Sequence, residues 1–126
     1  MIIERLSRLR DRPRLFNYSG TVSTRDLFHP DADDLVLTDV LFALSDPSRL
    51  AIVHDLASGP LDEVACAAVG GDLPKSTRSH HLKTLREAGV LRNVPHGRQR
   101  LLTLRSDDLE RRFPGLLAAV LGRRTA

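Results

Sequence analysis

From Leu37 onward the apolar residues recur at helical spacing: Leu37, Val40, Leu41 and Leu44 fall three and four positions apart, which predicts a helix with one apolar stripe. Asp46-Pro47 then supplies a capping carboxylate followed by proline at a first helical position, so one helix ends and a second begins there. Leu50, Val53, His54 and Ala57 form the stripe expected of this second helix, which Ser58-Gly59-Pro60 terminates. A short helix over roughly Asp62 to Ala68 follows, and Gly70-Gly71-Asp72-Leu73-Pro74 breaks it. Another helix, from about Lys75 to Ala88, is stopped by Gly89.

Beyond Gly89 the pattern changes to that of strands. Val90 to Val94 and Gln99 to Leu104 flank Pro95-His96-Gly97-Arg98, which predicts a hairpin with a basic tip. Ser106 or Asp107, with Glu110 at capping-box spacing from Asp107, is expected to cap a short helix. Pro114 is expected to open a last helix lined by Leu117, Val120 and Leu121. Helix, turn and helix followed directly by a hairpin is the winged form of the helix-turn-helix, in which the second helix enters the major groove and the hairpin lies alongside. The predicted fold is mainly α with a two-stranded wing.

The expected recognition helix divides cleanly. Ser76, Ser79, His80 and Lys83 share one polar face, while His81, Leu82, Leu85 and Ala88 lie on the other. Lys75, Arg98 and Arg100 are expected to neutralise phosphates, with His96 beside them at the hairpin tip. Ser76, Thr77, Ser79 and His80 are the candidates for register and base reading.

Charge sharpens this picture. The net charge is only +3, yet residues 75–105 hold eight Lys/Arg against Glu87 alone. Residues 26–48 carry six aspartates and no Lys or Arg. A basic segment opposite an acidic one suits a polyanion partner on one side. The chain of 126 residues, 41% hydrophobic, suits one domain with an aliphatic core, since Tyr18 and four Phe are the only aromatics. No apolar run reaches the ~20 residues of a membrane span, and the Arg-rich start lacks a signal-peptide stretch. With a single cysteine, Cys66, a disulfide scaffold and a zinc finger are excluded, and a reducing cytoplasm is the expected compartment.

Two units are expected: an N-terminal extension, 1–36, and the winged helix-turn-helix DNA-binding domain, 37–126. The extension holds five arginines between Arg5 and Arg14, then turn-forming Asn17-Tyr18-Ser19-Gly20 and His29-Pro30-Asp31. Ile2, Ile3, Leu6 and Leu9 have helical spacing. Its arginines suit either a DNA-tracking arm or the outer face of an added dimerisation helix.

The residues from about Thr38 to Gly122 resemble the ArsR/SmtB family of bacterial winged-helix repressors. Two strings carry the resemblance: Ala43-Leu44-Ser45-Asp46-Pro47-Ser48-Arg49-Leu50-Ala51-Ile52-Val53, and the longer run from Lys75-Ser76-Thr77-Arg78-Ser79-His80-His81-Leu82-Lys83 through Glu87-Ala88-Gly89-Val90-Leu91. The resemblance implies a homodimer on an inverted-repeat operator, repressing transcription until an inducer arrives. In this chain the implied dimer surface is Leu41, Leu44, Leu117, Val120 and Leu121. Two departures stand out. Arg78 occupies a position usually apolar in such repressors; its spacing from His81, Leu82 and Leu85 points it partly inward, and snorkelling outward to a phosphate is the alternative. The family's metal sensors carry paired ligands, whereas Cys66 stands alone and the last helix has neither His nor Asp.

Other candidates resolve toward structural roles. His81 is expected to be a satisfied semi-buried residue, and Cys66 a small buried thiol among alanines. His29, Asp31 and Asp33, with Asp34, are an alternative divalent-cation cluster, although acids just ahead of Leu35-Val36-Leu37 suit a helix start equally well. No cofactor is expected. Catalysis is not expected either, since there is no phosphate-binding glycine loop, metal-ligand spacing or nucleophile elbow. The rival from another class is a winged-helix module that binds protein.

Overall fold

The computed structural model describes residues 27–62, Ala65 and residues 73–122. The expected N-terminal helix, the arginines from Arg5 to Arg14, the Gly70-Gly71 turn and Cys66 lie outside the described residues.

Within these residues the order is a single 3-10 turn (Ala32–Asp34), α1 (Leu37–Leu44), α2 (Pro47–Ala57), β1 (Leu61–Asp62), α3 (Lys75–Ala88), β2 (Leu91–His96), β3 (Gln99–Leu104), α4 (Ser106–Arg112) and α5 (Leu116–Leu121). The junction between α1 and α2 forms as its sequence dictates. Asp46 Oδ2 accepts from the amides of Ser48 (2.9 Å) and Arg49 (3.1 Å), and Pro47 takes the first helical position. Such a cap contributes about 1 kcal/mol. α3 ends on Gly89 at φ 88°, a left-handed conformation that glycine adopts without strain.

The core is aliphatic, as expected. Val40, Ala43 and Leu44 of α1 meet Ile52, Val53 and Leu56 of α2, Leu82 and Leu85 of α3, and Leu91 and Leu102 of the sheet. Each fully buried leucine contributes about 1.5–3 kcal/mol. α3 is held between α1 and α2 on one side and the hairpin on the other.

Several expectations are corrected. The wing belongs to a three-stranded antiparallel sheet of order β1-β3-β2, with Leu61 opposite Leu102 and Asn93 opposite Leu102 on the other edge. β1 was not expected because two residues carry no readable alternation. Asp62, its last residue, also accepts from the Ala65 amide at 2.7 Å, the geometry of a helix cap; the rest of the helix expected over residues 62–68 lies outside the described residues. The buried stripe of α2 is Arg49, Ile52, Val53 and Leu56, whereas Ala57 is exposed and Leu50 and His54 are half-buried. Neither Ser106 nor Asp107 caps α4: Arg105 occupies the cap position, pinned by its amide to Val90 O at 2.9 Å. α5 starts at Leu116, not Pro114, because Gly115 sits at φ 85° between them.

Residues 27–36, assigned to the extension from sequence, pack on the domain. Leu35 is 1% exposed, and the segment's carbonyls accept from Arg86 (Phe28 O, 2.6 Å), Arg105 (Pro30 O, 2.8 Å) and Arg112 (Ala32 O, 2.7 Å; Leu35 O, 3.2 Å). The packed unit therefore begins ahead of Leu37.

Candidate nucleic-acid interface

α3 presents the two faces that its spacing predicts. Ser76, Ser79, His80 and Lys83 lie on the outer side, with Ser76 and Ser79 flanked by half-buried Thr77 and Arg78, while His81, Leu82, Leu85 and Ala88 are buried. Lys75 is exposed at the first turn. Pro74 precedes the helix and offers no side-chain acceptor to the first-turn amides.

The hairpin tip is a two-residue turn. His96 pairs with Gln99, and between them Gly97 has φ 64° while Arg98 keeps a negative φ, the sign pattern of a type II′ turn. His96, Gly97 and Arg98 are all exposed. The tip therefore offers one arginine and one histidine to an anion.

The remaining basic residues divide in a way that counting charges could not reveal. Arg100 donates from Nε to Asn93 Oδ1 at 2.6 Å and from Nη2 to Asn93 O at 3.0 Å, so it braces the hairpin from within. Arg105 is 5% exposed and donates to Asp108 Oδ2 and to Pro30 O. Arg86 is 8% exposed and spends Nη1 on Phe28 O. Burial lowers the affinity of both guanidinium groups for their protons, although an arginine stays charged. Arg92 pairs with Asp108 at 3.4 Å. Of the other four cations of the 75–105 stretch, Lys75, Lys83 and Arg98 are exposed and Arg78 is half-buried, and Arg92, though paired, is exposed as well.

α3 is fixed to the helix before it by an arginine that sequence reading passed over. Arg49, 7% exposed, donates from Nε to Ala43 O (2.7 Å), from Nη2 to Phe42 O (3.2 Å) and from Nη1 to His81 Nδ1 (3.2 Å). Because a guanidinium only donates, Nδ1 is the acceptor, and the ring proton lies on Nε2, which faces Asp46 Oδ2 at 3.8 Å. The Arg49 amide, burial acting against it, His81 and the Ser48 amide together hold the Asp46 carboxyl below its usual range. The signal was present in the sequence: Arg49 stands three, four and seven residues ahead of Ile52, Val53 and Leu56, on a core face.

The alternative cation cluster does not assemble. His29 Nε2 accepts from the Asn93 amide at 3.0 Å, and no three His, Cys, Asp or Glu side chains converge among the described residues. Burial, with Arg86, Arg92 and Arg105 nearby, pushes the His29 pKa down to about 4. No described helix is long and apolar enough to cross a membrane. Of the expected dimer residues, Leu44 and Leu117 belong to the chain's own core, Val120 and Leu121 are half-buried, and Leu41 is 44% exposed beside exposed Leu37 and Phe42.

Residues 44–94 match the family described as a helix-turn-helix domain. The chain is 40% identical over 89 residues to the uncharacterized HTH-type transcriptional regulator YceK of Bacillus subtilis, spanning 68% of this chain and 87% of that protein. Among solved structures it resembles an ArsR family transcriptional regulator (TM-score 0.56, 24% identity, 66% of this chain and 90% of that one). It also resembles a possible transcriptional regulator for arsenical resistance (TM-score 0.54, 28% identity, 68% and 88%).

Proposed function

We propose that this chain, which belongs to the helix-turn-helix transcriptional regulators and shares its fold with an ArsR family regulator, acts as a dimeric repressor on an inverted-repeat operator. The supporting observation is the outward polar face of α3, Ser76, Ser79, His80 and Lys83, set beside a hairpin whose tip offers Arg98. Hydroxyls, an imidazole and a lysine at this face fit base edges and phosphates, and Arg98 fits the backbone or a narrow minor groove. Two such helices in a symmetric dimer reach successive major grooves about 34 Å apart.

The dimer surface proposed is the exposed apolar side of α1, Leu37 and Leu41, together with half-buried Val120 and Leu121 of α5. Exposed leucines one helical turn apart, as Leu37 and Leu41 are, are commonly covered by a partner.

The test is fluorescence anisotropy of the full chain on the duplex upstream of its own gene and on a scrambled duplex, over a salt series. Tighter binding to its own DNA, with a steep fall as salt rises, is the expected result. Equal, weak binding to both duplexes would overturn the operator reading and favour a protein partner. Sedimentation of the same protein should give a dimer, and Leu41→Glu should return it to a monomer.

A further inference from the structure

Residues 27–30 form a strap that ties α3 to the wing. Leu27 lines a cleft together with Ser79, Leu82, Lys83 and Arg86 of α3 and Asn93 of β2. Phe28 O accepts from Arg86 Nη1 at 2.6 Å, His29 Nε2 accepts from the Asn93 amide at 3.0 Å, and Pro30 O accepts from Arg105 Nη1, just past β3, at 2.8 Å. Further along the chain, Leu35 packs against the Gly89 stop of α3, where a β-carbon would collide with it. The strap therefore grips α3, β2 and the end of β3 at once.

Asn93 is where it takes hold of the hairpin. β2 is an edge strand in the order β1-β3-β2, and the Asn93 amide goes to His29 rather than across to β3, so it points off the free edge of the sheet. The carbonyl and side-chain oxygens of Asn93 accept from Arg100 of β3, which stands opposite Pro95, close to the tip. Asn93 is 5% exposed, so each of these groups depends on its protein partner rather than on water. Asn93 and Leu102 are also the outermost buried pair of the hairpin: Val94 and Leu101 are half-buried, and His96 and Gln99 are exposed. His29 thus holds the wing at the point where core packing ends.

The covalent joint between α3 and the wing is Gly89-Val90, and Arg98 stands nine residues past Gly89. At about 3.3 Å per residue the tip lies about 30 Å from that joint, so a swing of about 10° would carry Arg98 about 5 Å, beyond hydrogen-bond reach of a phosphate. A bond at Asn93, four residues along this lever, restrains the swing.

We propose that His29 is a positioning residue for DNA binding: through the Asn93 amide it sets the angle between the wing and α3 at which Arg98 and the polar face of α3 meet one duplex. The proposal rests on the DNA-binding reading above and assigns the pose of the wing to a side chain outside both elements. An imidazole serves here as a neutral acceptor, and partial burial with Arg86 of α3, Arg92 of β2 and Arg105 around the ring keeps it neutral.

The experiment titrates the full chain and its His29→Ala, His29→Gln, Arg98→Ala and His29→Ala/Arg98→Ala variants by anisotropy onto a duplex of its upstream DNA, over a salt series at neutral pH. Thermal melts fix a temperature at which all of them are folded. Arg98→Ala should lower the slope of log K against log salt by ~0.9 and weaken binding about five-fold near physiological salt. His29→Ala should reproduce both changes although it removes no cation, and adding Arg98→Ala to it should cost little more. His29→Gln, which supplies an acceptor at the same place, should recover most of the loss. In heteronuclear NMR the Asn93 amide proton should move upfield in His29→Ala and return in His29→Gln. Binding by His29→Ala equal to that of the unmodified chain overturns the proposal while the regulator reading stands. So do losses from His29→Ala and Arg98→Ala that simply multiply, or a loss that Gln leaves unrepaired, since either marks a general loosening of the fold. An unmodified chain that binds no DNA overturns both readings together.

Discussion

The backbone amide of Asn93, in the wing, donates to Nε2 of His29, 64 residues earlier, at 3.0 Å. That bond joins the 27–36 segment to the hairpin, and it requires an imidazole with a free lone pair. Protonation would remove the acceptor and place a cation among Arg86, Arg92 and Arg105.

A pH dependence follows from this bond. The unfolded chain takes up a proton at His29 near 6.5, whereas the folded chain resists until about 4. The unfolded state therefore binds more protons between those values, and stability falls as pH drops from about 6.5 to about 4. Above that window the contribution is fully present. Thermal melts at about pH 7.5, 6 and 5 should show this decline, and His29→Gln, which keeps an acceptor that does not titrate, should flatten it. Parallel declines in the two proteins would remove His29 as the cause.

Arg49 fastens α3 to α1 and α2 through Ala43 O, Phe42 O and His81. Arg49→Ala should destabilise by roughly 2–4 kcal/mol, since it leaves buried acceptors unpaired and a void beside them. Arg49→Lys keeps the charge but not the planar fork, and most of the destabilisation should remain. Urea unfolding measures both; a Lys variant as stable as the parent would show that charge alone suffices.

Gly89→Ala combines two penalties. The backbone there has φ 88°, and the new β-carbon would collide with Leu35 Cδ2, itself 1% exposed. Left-handed strain alone costs about 1–3 kcal/mol. Paired with Leu35→Ala, the destabilisation should be smaller than the sum of the two single effects, because trimming Leu35 relieves the collision. Strict additivity in denaturant melts would assign the whole penalty to the backbone.

Arg98 and Arg100 are two residues apart and should behave differently. Arg98→Ala should reduce the salt slope of DNA binding by ~0.9 with an unchanged melt. Arg100→Ala breaks two bonds to Asn93 and should lower the melting temperature first, with any change in DNA binding following from the disturbed wing. Equal melts for the two variants would contradict the bracing role.

His80, exposed on the polar face of α3 beside buried His81, is proposed to read a base edge. His80→Ala should alter preference among operator variants more than it alters the salt slope. A competition series with single base-pair changes tests this, and an unchanged ranking would remove His80 from the reading face.

The sequence by itself determined α1, α2, α3, the hairpin and the polar face of α3, because each is written in spacings of two to four residues and in local punctuation at Asp46-Pro47, Gly89 and Gly97. It could not show what each arginine does. Arg86, Arg105 and Arg112 find their carbonyl partners 58, 75 and 80 residues away, and Arg100 turns inward onto the opposite strand. The same distance hid the packing of residues 27–36, whose turn-rich composition reads as a linker until Leu35 meets the core and four carbonyls meet guanidinium groups of Arg86, Arg105 and Arg112. In a sequence a cation is only a charge; the tertiary structure decides whether its hydrogen bonds are satisfied by its own chain or left for a phosphate, since that depends on which distant backbone the fold brings within about 3 Å.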